Sequence, residues 1–316
     1  MSKVVNILKS IGTYVFILLF SAFFSFPLFW MWVESFKTQT QSFSLGFIPW
    51  LQFTPTMQNW ENELTAGNAN ASGYSGGMTG AGIGMGPQNI QGLLNSTVVG
   101  IGTAIIAVVI GTMAAYALAR YEFKRISNTG WLSYFLSLRF LPPIALAIPF
   151  YVFMMNIPIA VNFIPFSVSI SHTGLLDTQL GLILCDGTAF LPYAILVIRD
   201  AFKSLPPAME ESAFVDGASV LKVLRSIALP LVAPAIAAIF LLTFSFSWNE
   251  FAFAFIFTGK DAYTMPIRLA ATSTSMGVQF WTLSVRQIVS CLPPIALGLT
   301  VQKYIVSGLT MGAMKS

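Results

Sequence analysis

Charged residues are scarce in this chain of 316 residues: they make up 9% of it, whereas soluble domains carry about 25%. Hydrophobic residues make up 55%, and the mean hydropathy is +0.74. A soluble fold of this composition would leave a large apolar area in contact with water. The composition therefore predicts an integral membrane protein, and the net charge of +4 does not indicate nucleic-acid binding.

Cysteine and histidine are nearly absent, which excludes several kinds of site. The two cysteines, Cys185 and Cys291, lie far apart in apolar segments, so we interpret them as small core residues and not as a disulfide framework. The single histidine, His172, makes no metal site. Without a histidine cluster or paired carboxylates in its apolar segments, the chain is predicted to be neither a metalloprotein nor an enzyme.

A phosphate-binding loop is also missing. Residues 66–86 contain many glycines, but no lysine and Ser/Thr pair follows them and no strand precedes them. We interpret this stretch as a flexible external insertion. The chain is therefore predicted to bind no nucleotide or other cofactor of its own.

Long apolar runs are abundant. A helix needs about 20 apolar residues to cross the hydrocarbon of a membrane. Six runs meet this need, near 11–33, 94–119, 130–155, 175–198, 231–257 and 284–308. The first is too long for the apolar part of a cleavable signal peptide, so it is predicted to remain as an anchor. The third contains Pro142, Pro143 and Pro149 and is predicted to be kinked or locally unwound.

Lysine and arginine predict the orientation of these runs. With the N-terminus in the cytoplasm, eleven basic residues lie inside and three lie outside. The inside set is Lys3, Lys9, Arg120, Lys124, Arg125, Arg199, Lys203, Lys222, Arg225, Lys303 and Lys315, and the outside set is Lys37, Lys260 and Arg268. Both termini are therefore predicted to be cytoplasmic and the long loop 34–93 external. In that loop, Trp50 and Trp60 are candidates to cap an interfacial segment.

The loop at 199–230 has more order than a plain connection requires. Pro206 and Pro207 can open a helix, because the missing N–H of proline would be unpaired there. Glu210 and Glu211 then fall in its first turn, where carboxylates oppose the positive end of the helix dipole. The sequence of this loop therefore predicts a helix that presents one face for contact with another group.

A glycine separates this helix from a second one. Gly217 can adopt positive φ and end the first helix. Beyond it, Val220, Leu224 and Ile227 share one face. Leu229-Pro230 is predicted to end the second helix before the next apolar run begins.

These residues resemble the signature loop of the ABC-importer permeases, which reads EAA, three residues, G, nine residues, I, one residue, LP. Here it is Glu211-Ser212-Ala213, then Gly217, then Ile227 and Leu229-Pro230, with Ser212 in place of the first alanine. The resemblance implies a cytoplasmic coupling helix that docks on an ATPase. The residues it assigns to this contact are Glu210, Glu211, Ser212, Ala213, Asp216 and Gly217.

Other strings resemble the maltose-type carbohydrate group of that family, in particular its smaller permease subunit. They are Arg139-Phe140-Leu141-Pro142-Pro143 and Trp248-Asn249-Glu250-Phe251. The resemblance implies an all-α type I ABC importer permease with six transmembrane helices and a coupling helix. It also implies a division into 1–33, the external loop 34–93 and a permease domain at 94–316 that includes the coupling loop.

The resemblance further implies the assembly in which the chain works. Its partners would be a second homologous permease subunit, a dimer of ATPase subunits that use ATP and Mg²⁺, and an extracytoplasmic solute-binding protein. The location would be the inner membrane of a bacterial-type cell. The expected function is carbohydrate import by alternating access. The alternatives are an ABC permease for an amino acid or peptide, and a secondary transporter.

Single polar residues in the apolar runs are candidates for the solute path. Glu250 is ionisable, and such groups tend to face a bundle interior or a water-filled path. Beside it, Asn249 and Trp248 can hydrogen-bond to a sugar and stack on it. The alternative for Glu250 is a structural pair with Arg139 or Arg286. For Asp186, helix packing is favoured over lining of the same path.

A stripe of small residues marks the second apolar run. It consists of Thr103, Ala107, Gly111, Ala115 and Ala119, spaced four apart. Such a stripe lets another helix approach closely in lipid. Packing inside this chain and a subunit interface are both consistent with it.

Overall fold

The computed structural model of the protein describes residues 2–64, 86–138, 140–157, 174–274 and 277–313. Helices α1 to α13 are, in chain order, Ser2–Glu34, Gln39–Ser42, Gln58–Leu64, Gly86–Arg120, Asn128–Leu138, Pro143–Asn156, Gln179–Lys203, Ala208–Val215, Val220–Val223, Leu229–Trp248, Ala252–Phe257, Met265–Ala270 and Phe280–Ala313. A π-helical turn, Leu224–Ala228, joins α9 to α10, and a short antiparallel hairpin pairs β1 (Ser273–Thr274) with β2 (Gly277–Val278). Arg139, His172 and nearly all of the 66–86 insertion lie outside the described residues.

Five helices in the described ranges are long and apolar enough to cross a membrane. They are Ser10–Glu34, Ile90–Arg120, Gln179–Lys203, Val220–Trp248 and Phe280–Gln302. The pair α5 and α6 makes a sixth if it is one span, with its two parts bent by 92°. The helical membrane class is confirmed, and the bend lies where the prolines of the third run predicted it. Pro142 is extended, with φ −65° and ψ 137°, and α6 begins immediately after it.

The predicted fifth run, 231–257, is wrong at both ends, and Leu229-Pro230 does not end a helix. The helix continues from Val220 through the π-helical turn to Trp248. In that turn the N–H of Leu229 donates to the carbonyl of Leu224, five residues back. Inside a regular α-helix, the ring of a proline crowds the carbonyl four residues back, and the proline cannot donate a backbone hydrogen bond. The π-helical turn changes the hydrogen-bond register just before Pro230, so the helix can continue through it. Proline is therefore accommodated where the sequence predicted a stop.

The chain consists of two compact units: Met1–Ile90 with Leu269–Cys291, and Gln91–Arg268 with Leu292–Ser316. In the second unit, the small-residue stripe of α4 packs inside the chain. Ala107 and Ala115 are fully buried in a core with Ala194 and Ile198 of α7 and Ile239 of α10. Of the two interpretations of the stripe, packing within the chain is confirmed.

A polar cluster joins three helices of this unit. Asp186 of α7 is 1% exposed, and its Oδ2 accepts a hydrogen bond of 2.5 Å from the hydroxyl of Ser247 in α10. The same hydroxyl lies 3.3 Å from Oγ1 of Thr103 in α4. The packing interpretation of Asp186 therefore fits the structure. Its neighbour Cys185 is buried as expected, but Cys291 is exposed, so the prediction of a core position was wrong for that cysteine.

Asp177, just before α7, organises the loop that follows α11. Its carboxylate accepts hydrogen bonds from the backbone N–H groups of Gly259, Lys260, Asp261 and Ala262, at 2.9 to 3.2 Å. Burial raises the pKa of the Asp177 carboxyl, but these four donors outweigh burial, and the pKa lies below its ordinary value. The ionised carboxylate therefore stabilises this loop.

In the first unit, a buried ion pair ties α3 to α13. Nε and Nη2 of Arg286 lie 2.9 and 3.1 Å from the two carboxylate oxygens of Glu63, and both side chains are at most 5% exposed. This two-point geometry is the strong form of the arginine–carboxylate contact. Arg286 is therefore engaged with Glu63.

The close approach of α4 to α7 generates a stability prediction. A Cβ added at Gly111 would lie 2.7 Å from the Cβ of Ala194, whereas one added at Gly298 of α13 would meet nothing within 4 Å. We expect Gly111→Ala to destabilise the purified chain by about 1–3 kcal/mol through overpacking. Gly298→Ala should be neutral or stabilise by up to about 1 kcal/mol, because alanine is the better helix former.

The measurement is the free energy of unfolding in mixed detergent micelles. The double variant Gly111→Ala with Ala194→Gly should recover most of the loss, since it restores the space at the contact. Equal effects of the two single alanine variants would contradict the close packing of α4 on α7.

Candidate functional site

Helix α8 occupies the predicted coupling loop, and its ends follow from its sequence. Pro207 is the N-cap, and Glu210 and Glu211 lie in the first turn, as predicted. At the other end, Gly217 has φ +80°. The N–H of Ala218 donates to the carbonyl of Ala213 and that of Gly217 to the carbonyl of Phe214, which is the Schellman arrangement that a left-handed glycine permits.

The six residues predicted for coupling do not share one face of α8. Glu211, Ser212, Asp216 and Gly217 are exposed, and Ala213 is half-buried. Glu210 is only 4% exposed and points into the protein. The two neighbouring glutamates therefore have different environments, which their sequence positions alone did not separate.

Glu210 is held by two residues at the end of α4. The guanidinium of Arg120 donates from Nε and Nη2 to Oε1 of Glu210, at 2.9 and 2.7 Å. The hydroxyl of Tyr116 donates to the other oxygen at 2.8 Å. Arg120 also reaches the carbonyl of Leu205, at 3.3 Å, just before α8. This buried cluster fixes α8 to the end of α4.

The cluster rests on the core of the second unit. The ring of Tyr116 meets that of Phe202 edge to face, with centroids 5.2 Å apart, and both side chains are at most 4% exposed. Neither Tyr116 nor Arg120 was among the residues predicted to be functional. The only signal was a basic residue ending an apolar run and an acidic residue 90 positions later, and no periodicity connects two such positions.

Helix α8 and the start of α9 also expose an apolar surface. We call this surface the α8 patch; it consists of Met209, Phe214, Val215, Val220 and Leu221, all exposed. Val215 is 88% and Leu221 72% exposed. The carboxylates of Glu211 and Asp216 are exposed beside the patch. An apolar patch with a charged rim is typical of a protein-binding surface.

The residues predicted for the solute path lie at the break between α10 and α11. Trp248 is 3% exposed and stacks on Phe244, with ring centroids 5.5 Å apart. Asn249 is exposed, and its side-chain amide donates to the carbonyl of Ser245 at 2.8 Å. The expected position of Glu250 within a membrane-spanning helix was wrong, because the helix ends at Trp248.

Glu250 instead caps the next helix. Its two carboxylate oxygens accept hydrogen bonds from the N–H groups of Phe253 and Ala254, at 2.8 and 3.0 Å, in the first turn of α11. This is a favourable place for a carboxylate, since the first N–H groups of a helix lack intrahelical partners. Within the described ranges, no three acidic, histidine or cysteine side chains gather as metal ligands.

Comparison with known proteins places these features in context. The family model described as "Binding-protein-dependent transport system inner membrane component" matches residues 107–311, which is more than half of the chain. The "Trehalose transport system permease protein SugB" of Mycobacterium tuberculosis is 36% identical over 228 residues, covering 71% of this chain and 76% of that protein. The "Trehalose/maltose transport system permease protein MalG" of Thermococcus litoralis is 29% identical over 313 residues, covering 98% of both.

A solved structure extends the likeness to the fold. A chain of a bacterial ABC transporter involved in the import of the acidic polysaccharide alginate superposes with a TM-score of 0.63. The match covers 95% of this chain and 97% of that chain, at 19% sequence identity. The type I importer fold expected from the sequence is therefore confirmed, although the number of spans depends on how the bent α5–α6 pair is counted.

The environments of Glu210 and Glu211 generate a paired prediction. Glu210→Gln leaves the Arg120 guanidinium without its buried counterion, and we expect a loss of about 3–5 kcal/mol in the free energy of unfolding. Glu211→Gln, on the exposed side of the same turn, should change it by less than about 0.5 kcal/mol. Denaturation of the purified chain in detergent micelles measures both, and similar values for the two variants would show that the buried cluster does not hold α8.

Proposed function

This chain belongs to the family of binding-protein-dependent transport system inner membrane components, and we propose that it passes a carbohydrate across the membrane by alternating access. The family is that of transport-system inner membrane components, and the chain has several helices long and apolar enough to cross a membrane. We infer that it is a permease subunit without a catalytic role of its own. The observation that carries the proposal is the exposed α8 patch on a helix fixed to the spans through Glu210. A plain transmembrane connection needs neither feature.

The proposal of a carbohydrate substrate rests on the relatives. Proteins named for trehalose and for trehalose/maltose transport match this chain at 36% and 29% identity. The strings around Arg139 and Trp248 resemble the same group. An amino-acid or peptide permease is the alternative within the family, and a secondary transporter lies outside it.

The proposed assembly contains four further chains. A second homologous permease subunit would pair with this one, and a dimer of ATPase subunits would bind on the cytoplasmic side and use ATP and Mg²⁺. An extracytoplasmic solute-binding protein would deliver the carbohydrate. The excess of lysine and arginine on one side supports cytoplasmic termini and a cytoplasmic α8.

The coupling step follows from the two attachments of α8. We propose that the α8 patch and the exposed Glu211, Ser212 and Asp216 contact the ATPase. Movement of α8 then reaches α4 through the Glu210–Arg120 contact at 2.7 Å. It reaches the Val220–Trp248 span through the turn at Gly217, since α9, the π-helical turn and α10 are continuous. Two spans therefore respond to one docked helix.

The solute path is proposed to pass the break at Asn249 and Glu250. Helix breaks at membrane depth are tolerated where they line a cavity or lie buried in protein. The exposed amide of Asn249 can donate to a sugar hydroxyl, and Trp248 supports this position from the core. Glu250 contributes by capping α11, which fixes the backbone on the other side of the break.

The coupling role generates a prediction at Gly217. Because a Cβ there would meet nothing within 4 Å in this chain, the obstacle that the chain itself presents to substitution is the φ of +80°. Gly217→Val should cost about 1–2 kcal/mol of local conformational energy, whereas Gly217→Asn should be better tolerated, because asparagine visits the left-handed region. We expect valine to reduce both solute uptake and stimulation of the ATPase, and asparagine to retain most of both.

The measurement uses the whole transporter in proteoliposomes, with assembly yield determined in parallel. If the valine variant assembles and transports as the wild type does, α8 is not the coupling element. If asparagine and valine fail equally, the requirement is for glycine itself at the contact and not for positive φ.

The transport proposal is tested by reconstitution of the complete assembly with its solute-binding protein. We expect uptake of a carbohydrate that requires ATP and the binding protein and persists when ion gradients are abolished. The carbohydrate is identified beforehand by thermal-shift screening of the binding protein. Uptake driven by an ion gradient without ATP would contradict an ABC importer, and a binding protein stabilised only by amino acids or peptides would contradict the substrate class.

A further inference from the structure

A short segment after α1 presents an unusual amount of apolar surface. In residues 43–51 the large apolar side chains are all exposed: Phe43 74%, Leu45 86%, Phe47 37%, Ile48 50%, Trp50 82% and Leu51 82%. The other three residues are Ser44, Gly46 and Pro49, so the segment carries no charge. We call it the apolar loop. The proposed transport function assigns it no role.

The apolar loop is held in place by polar groups that point inward. The carboxylate of Glu34 pairs with the ammonium of Lys37 at 3.0 Å, and both side chains are at most 4% exposed. The same ammonium lies 4.7 Å from the ring centroid of Trp30, in cation–π geometry. Ser42, just before the loop, donates to Glu34 as well. The residues just before the apolar loop are therefore fixed by a buried ion pair whose two charges compensate each other.

The backbone of the loop is also satisfied internally. Oε1 of Gln52 accepts hydrogen bonds from the N–H groups of Phe47 and Ile48, at 2.6 and 3.0 Å. The N–H of Trp50 donates to the carbonyl of Phe53 at 2.8 Å. Trp50 itself has φ +63°, a conformation that a bulky residue rarely adopts. The structure thus holds a tryptophan in an unfavourable backbone conformation while its ring points outward.

The loop lies beside the ends of two candidate spans. It follows α1, whose apolar window is entirely exposed and whose last turns carry the exposed rings of Phe29 and Trp32. The ring of Phe43 contacts that of Trp281, in the first turn of α13, with centroids 6.5 Å apart. Five of the seven tryptophans belong to this unit: Trp30, Trp32, Trp50, Trp60 and Trp281. Tryptophan is enriched where a span leaves the hydrocarbon for the headgroups.

We propose that the apolar loop inserts into the headgroup region of the lipid bilayer and acts as an interfacial anchor beside α1. Three observations favour lipid as the occupant. The loop is uncharged, its Phe47 ring packs 4.9 Å from that of Trp30 near the end of the exposed helix α1, and it lies among aromatic residues at the ends of two spans. A protein partner would more often meet a polar rim around such a patch, as at α8. The proposal does not depend on which side of the membrane the loop occupies.

The test measures the surroundings of spin labels in the assembled transporter. Labels are attached to single cysteines at Leu45, Trp50 or Leu51 in a Cys291→Ser background, since Cys185 is buried. The complex, without its binding protein, is placed in vesicles of phosphatidylethanolamine and phosphatidylglycerol. Collision rates are measured with oxygen, which concentrates in lipid, and with a water-soluble nickel complex. Phe16 in α1 serves as the lipid control and Gln58, exposed at the start of α3, as the aqueous control.

We expect the ratio of oxygen to nickel collisions at the three loop positions to be several-fold higher than at Gln58 and to lie between Gln58 and Phe16. A ratio equal to that of Gln58 would place the loop in water and overturn the proposal. Slow label motion with low collision rates for both reagents would show that another subunit covers the loop, which also overturns it. Assembly yield and uptake are measured for each labelled complex. Wild-type values for both show that the collision rates report on a correctly folded transporter.

Discussion

Hydrocarbon offers no hydrogen-bond partner, so every interruption of a helix in this protein needs an internal solution. Lipid-facing backbone polar groups are costly, which is why helices dominate the described chain. The π-helical turn at Leu224–Ala228 keeps the helix continuous across Pro230. At the end of α10, the carboxylate of Glu250 takes up the first N–H groups of α11. Outside the candidate spans, Asp177 takes up four N–H groups of the 259–262 loop in the same way. At these three places the backbone is thus satisfied by a side chain or a local change of pitch.

The few charges are likewise held by internal partners. Several of the charges are buried in pairs: Arg286 with Glu63, Lys37 with Glu34, and Arg120 with Glu210. A buried charge without its partner would be expensive, so each pair fixes the geometry of the segments that carry it. The Glu210 pair fixes α8 relative to α4, and the Lys37 pair fixes the base of the apolar loop. Both surfaces proposed for contacts outside the chain, the α8 patch and the apolar loop, therefore rest on buried ion pairs.

Those two surfaces differ in a way that suits different partners. The α8 patch is apolar with exposed carboxylates beside it, which fits a protein partner that must be recognised. The apolar loop is uncharged and packs against the end of the exposed helix α1, which fits lipid. In both cases a residue with positive φ lies close by, Gly217 in one and Trp50 in the other. Glycine adopts that conformation without steric cost, whereas tryptophan does not, so the strained residue is the one whose ring is proposed to enter the headgroup region.

The sequence by itself determined the membrane class, the approximate spans, the bend at Pro142 and Pro143, and α8 with its ends at Pro207 and Gly217. These are local properties, since hydropathy over about 20 residues, proline geometry and capping act within one segment. Only the tertiary structure decided which side of α8 each glutamate occupies, that Gly111 in the small-residue stripe meets Ala194, and that Arg286 pairs with Glu63. Pairings between residues 90 to 223 positions apart leave no periodicity in the chain. The end of the fifth span was mispredicted for a related reason: an apolar run continues past Trp248, and only the hydrogen bonds of Glu250 to the next turn end one helix and start another.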